Sequence, residues 1–130
     1  DLKRIIFHEY THAVLHQYCA KGIPTWFNEG LAQVIEGDVP SPKELNGKVN
    51  DLKDLEKSFL VLDKENAKVA YETSAIATNY ILEQYGASLI DDLVKAFPGA
   101  KTPEDALRGV FGISYVDMNS AMAKMANGSN

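Results

Sequence analysis

Along residues 2–18 the apolar side chains Leu2, Ile5, Ile6, Ala13, Val14 and Leu15 recur at helical spacing, and Asp1 offers an N-cap oxygen. No residue from Tyr10 to Ala20 carries a formal charge, so this helix is expected to be covered around most of its circumference. Gly22 and Pro24 break the pattern; a second helix is expected over residues 26–35, capped by Thr25 and closed by Gly37. Pro40, Pro42 and Gly47 mark residues 38–50 as a loop. Residues 51–59 read as a short amphipathic helix whose alternating lysines and acids are solvated.

A long helix over residues 67–85, apolar on nearly every side, should stop at Gly86 and form the second central element. Thr102, Pro103 and Asp105 make a capping start for a helix ending at Phe111, and Ser114 with Asp117 opens the last one. Met118, Met122 and Met125 then follow at helical spacing and read as core packing. No internal repeat and no period-two strand is evident. The expected fold is therefore mainly α and one domain: a helix pair over residues 1–37, a loop with a short helix over 38–66, and a helical bundle over 67–127.

Composition narrows the function. Thirteen Lys and Arg against eighteen Asp and Glu give a net charge of -5 over 130 residues, and no basic stripe appears, which argues against nucleic acid. The uncharged run at Tyr10 to Ala20 is about half of what a bilayer requires, so no transmembrane segment is expected. The single cysteine, Cys19, cannot close an internal disulfide and leaves the compartment open.

The informative residues are His8, Glu9, Tyr10, Thr11 and His12, an H-E-x-x-H pattern inside the first expected helix. Four residues advance a helix by little more than one turn, so His8 and His12 share a face and both imidazoles can reach one metal ion. Glu9 stands beside them, where a carboxylate can take a proton from water at an open coordination position. Chance alone would produce the pattern on the order of once in several hundred chains of this size. Burying three ionisable groups on an otherwise uncharged helix is costly unless a metal or a partner satisfies them.

A catalytic zinc takes about three protein ligands and a water, so a third donor is needed. Glu29, on the second helix and flanked by Trp26, Phe27 and Leu31, is that candidate; the turn at Gly22 to Pro24 can fold its helix back across the first. His16 lies too far along its helix to join the same metal and reads as a packed or hydrogen-bonded histidine.

With H-E-x-x-H at residues 8–12 followed by Trp26, Phe27, Asn28, Glu29, Gly30, Leu31 and Ala32, the chain resembles the gluzincin zinc metallopeptidases, in particular the catalytic domain of zinc aminopeptidases. The resemblance implies His8, His12 and Glu29 as zinc ligands and Glu9 as general base and proton shuttle to the leaving amine. It implies Tyr71, opening a Tyr71-Glu72 dipeptide, as the donor to the oxyanion, and Glu36, seven residues after Glu29, as the carboxylate that steadies a zinc-bound histidine. Tyr71, Ser74, Tyr80, Tyr85 and Gly86 extend the likeness to short bacterial gluzincin-like peptidase domains, with an exported or cell-envelope setting as the weak lean.

Two departures from the aminopeptidases are visible: a slightly shorter step from His12 to Glu29, and no counterpart of their upstream Gly-x-Met-Glu-Asn motif. They leave exopeptidase and endopeptidase action equally open. Because helical periodicity begins at once from Asp1, the chain is expected to be a zincin-like catalytic domain fragment, with the β-sheet of such enzymes lying upstream of it. The expected function is hydrolysis of peptide or protein substrates by zinc-activated water. A zinc-binding or scaffolding module that keeps the fold without turnover is the alternative.

Overall fold

A computed structural model describes residues 22–128, and within them the chain is mainly helical with no β-strand. Five α-helices follow one another: α1 Thr25–Glu36, α2 Lys64–Tyr85, α3 Ala87–Ala96, α4 Pro103–Phe111 and α5 Tyr115–Ala126. The helix expected over residues 2–18 lies outside the described residues.

Most boundaries have the causes the sequence offered. Gly37, at φ 83°, ends α1 in a left-handed turn, with its own N–H on Val34 O and that of Asp38 on Gln33 O. Thr102 and Ser114 accept from Asp105 N and Asp117 N, and Asp117 returns a bond to Ser114 N, so the two capping starts form as expected. Thr25, however, is not a cap: extended Pro24 holds that position without a side-chain bond, and Thr25 is already helical. Helix α2 begins three residues earlier than expected, because Asp63 Oδ1 accepts from Asn66 N at 2.8 Å. Helix α3 was not separately foreseen; Gly86, at φ 85°, both stops α2 and starts α3.

The expected helix over residues 51–59 is instead two 3₁₀ turns, Leu52–Leu55 and Phe59–Val61. Three residues per turn also bring Leu52 and Leu55 to one side, so the apolar spacing did not distinguish the two geometries. Side-chain acceptors, one local and one distant, take up backbone N–H groups of this segment. Ser58 Oγ takes the N–H of Leu60, and Asn119 Oδ1 on α5 takes the N–H of Leu52.

Helices α1 and α2 form the centre of the molecule and run antiparallel: Gly30 meets Ser74 and Thr78, whereas Gln33, further along α1, meets Tyr71, further back along α2. From Thr73 to Thr78 every residue of α2 is buried, and all but Ile76 are small. A Cβ added to Gly30 would collide with Ser74 O and Thr78 Oγ1, so glycine permits this close approach. The first turns of α2 are by contrast polar and mostly exposed, so the helix is not apolar on every side.

A second anchor holds the start of α1. Trp26, fully buried, donates from Nε1 to the Tyr115 hydroxyl at 3.1 Å, and that hydroxyl donates to Glu56 Oε2 at 2.7 Å. Thr25 N reaches Glu56 O at 3.0 Å, while Trp26 meets Phe27 and Tyr115 edge to face. Burial above all, and then the Glu56 carboxylate, hold the Tyr115 proton far above the usual phenol range, against the opposing pull of the Trp26 N–H. Met118 and Met122 are buried in the same core and Met125 packs against it, as their spacing implied.

Four outcomes test this architecture. Gly30→Ala should destabilise the protein by about 1–3 kcal/mol in denaturant melts. Gly109→Ala, at an exposed position of α4 with open space around it, should instead stabilise by about 0.5–1 kcal/mol. Tyr115→Phe leaves the Trp26 N–H and the Glu56 carboxylate without their shared partner and should cost about 1–3 kcal/mol. Above about pH 10 the unfolded chain releases the Tyr115 proton while the fold retains it, so stability should fall with rising pH. Part of that slope should vanish in Tyr115→Phe, as read by melts across the alkaline range.

Candidate active site

On α1 the residues divide by helical position. Trp26, Phe27 and Gly30 are buried toward the core and α2, and Ala32 is also fully buried. Glu29, Gln33 and Glu36 stand at spacings of four and three, which sets them on one face of the helix, each half-buried. The apolar members of the Trp26 to Ala32 segment thus fix the helix, and Glu29 stands on its polar face. Glu36 is the last residue of α1, two turns beyond Glu29 on the same side.

Tyr71 lies in the second turn of α2, about a third of it exposed, with its ring edge to face against Phe59 at 5.1 Å. Burial, and then the negative charge of Glu29, raise its phenol above the ordinary value of 10.0. The carboxylate and the phenol are therefore close enough to feel one another across the helix pair. Glu72, the other half of the dipeptide, lines an open cleft of about 480 Å³ with Gln33, Asp38, Glu44 and Lys68.

Gln33 joins the two helices. Its Nε2 donates to Glu29 O at 3.2 Å and to Tyr71 O at 3.0 Å. Sequence reasoning passed over it because glutamine neither titrates nor binds zinc. The available signal was its place one turn beyond Glu29, on the face assigned to the site. Tyr115 and Glu56, which hold the Trp26 indole, were equally unforeseen; nothing in local spacing links residues 56 and 115 to residue 26.

His8, Glu9 and His12, together with His16 and Cys19, lie outside the described residues. Among the described residues no three His, Cys, Asp or Glu side chains gather into a group able to hold a metal ion. Of the three expected donors, Glu29 alone falls within them. By its chemistry the full set, two imidazole nitrogens and one carboxylate oxygen, fits zinc at a catalytic centre.

A family model described as the Peptidase MA superfamily matches residues 2–127. No curated protein and no solved structure matches the chain. Among the described residues no helix is long and apolar enough to cross a membrane.

Proposed function

The chain belongs to the Peptidase MA superfamily, and from that membership we propose that it is a gluzincin-type zinc peptidase domain that hydrolyses peptide bonds with Glu9 as general base. The observation that carries the reading is the place of Glu29, seventeen residues after the H-E-x-x-H segment and on the half-buried polar face of α1, which Gln33 ties to the backbone at Tyr71.

His8, His12 and Glu29 would hold the zinc. When bound, zinc would supply a water acidified to a pKa of about 7 and a positive centre that polarises the scissile carbonyl. Glu9 accepts the proton of the attacking water and passes it to the departing amine nitrogen, so the C–N bond breaks without an amide anion. Tyr71 donates a hydrogen bond to the carbonyl oxygen as negative charge develops there. Its raised pKa keeps that proton in place throughout the neutral range. Glu36 would orient a ligating histidine by accepting its second ring N–H. No covalent acyl intermediate is required, since water is the nucleophile.

The test is zinc per chain by elemental analysis, beside peptide hydrolysis. Wild type and Glu9→Gln should each bind about one zinc, whereas Glu29→Ala should bind far less. Hydrolysis should be lost in Glu9→Gln, and a Glu9→Gln protein working at the wild-type rate would overturn the assignment. Tyr71→Phe should keep its zinc and lower kcat by about 10²-fold with KM little changed. Zinc binding by a wild type that cleaves no peptide would identify the domain as a binding module instead.

A further inference from the structure

We propose that Gln33 is a positioning residue, whose side-chain amide ties the backbone at Glu29 to the backbone at Tyr71 and so fixes how the carboxylate and the phenol stand toward each other. The inference rests on the reading of Glu29 as metal ligand and Tyr71 as oxyanion donor, and it concerns what holds the two in register.

Both hydrogens of the amide are committed, one to Glu29 O at 3.2 Å and one to Tyr71 O at 3.0 Å. Within its own helix each of these carbonyls also faces the amide four residues on, so Gln33 takes up a second lone pair and leaves the helical bonding intact. The bond to Glu29 O holds the side chain along the α1 surface, which preorganises it to reach α2.

The need for such a tie follows from the crossing itself. At Gly30 the helices touch where side chains are absent, against Ser74 O and Thr78 Oγ1. That contact sets the separation of the two helices and the Trp26 anchor holds the start of α1, so pivoting of its far end is limited by what bridges the helices beyond Gly30. Gln33 and Tyr71 lie one turn from that point on their respective helices, and a bond there removes the pivot. Pivoting would move the Tyr71 ring relative to Glu29, and a displacement of about 1 Å between catalytic groups can cost on the order of 10²-fold in rate. The Phe59 ring, against the other side of Tyr71, limits the same motion from outside.

The experiment replaces Gln33 with Met, which keeps the length and loses both donors, and with Lys, which restores a donor of similar reach. Protein carrying 3-fluorotyrosine is studied metal-free at pH 6.5, where the phenols are protonated, and the Tyr71 fluorine resonance is assigned by its loss in Tyr71→Phe. In the wild-type background Glu29→Gln should shift that resonance. In Gln33→Met the shift should shrink by half or more, and in Gln33→Lys most of it should return. Should Gln33→Met fail to fold, Gln33→Asn, one methylene short of the Tyr71 carbonyl, carries the same expectation. In the zinc-loaded protein Gln33→Met should lower kcat by about 10- to 100-fold with KM within about twofold. A folded Met or Asn variant in which Glu29→Gln moves the resonance as far as in wild type would overturn the proposal. Absence of hydrolysis by the wild type would count against the peptidase reading alone, because the fluorine measurement needs neither metal nor turnover.

Discussion

Everything that can be said of the site depends on two helices lying closer than side chains normally allow. Glycine at position 30 brings the backbone of α1 against Ser74 and Thr78, in the stretch of α2 where every residue is buried and nearly all are small. Close approach of this kind is gained through dispersion between tightly packed atoms and is unforgiving of added volume. It also has a chemical consequence. Glu29 immediately precedes the glycine, so the residue that brings the helices together also delivers the carboxylate to the neighbourhood of Tyr71.

The segment from Trp26 to Ala32 combines two kinds of requirement in seven residues. Trp26 and Phe27 are anchors, Gly30 is a spacer, and Ala32 is small and fully buried. Glu29 is the member whose side chain has a charge to offer. A carboxylate on a flexible stem gains what precision it has from the rigidity of its backbone, as the proposed ligand role would require. The apolar residues around it therefore set where that carboxylate stands.

Sequence legibility followed the range of the forces involved. Helix ends set by a glycine or by a Ser, Thr or Asp cap were readable at Gly37, Gly86, Thr102 and Ser114, because each is decided within a few residues. The two 3₁₀ turns were misread because Leu52 and Leu55 satisfy both periods and the deciding bond comes from Asn119, far along the chain. Of the candidate site, Glu29 and Tyr71 were singled out from the residue types the chemistry needs, and the structure sets them on the two central helices, α1 and α2. Gln33 was not, since its role lies in two backbone carbonyls and leaves no mark in the pattern of charges or apolar residues.

The hydrogen bond between Trp26 and Tyr115 joins residues 89 apart in sequence. During synthesis Trp26 is made 89 residues before the hydroxyl that receives its indole. Until then Trp26 has neither its polar partner nor the aromatic face of Tyr115, and contacts so distant along the chain form late because a long loop must first close. The order of assembly is thus written into the anchor: the crossing of α1 with α2 can close first, and the start of α1 is fixed only when Tyr115 has been made.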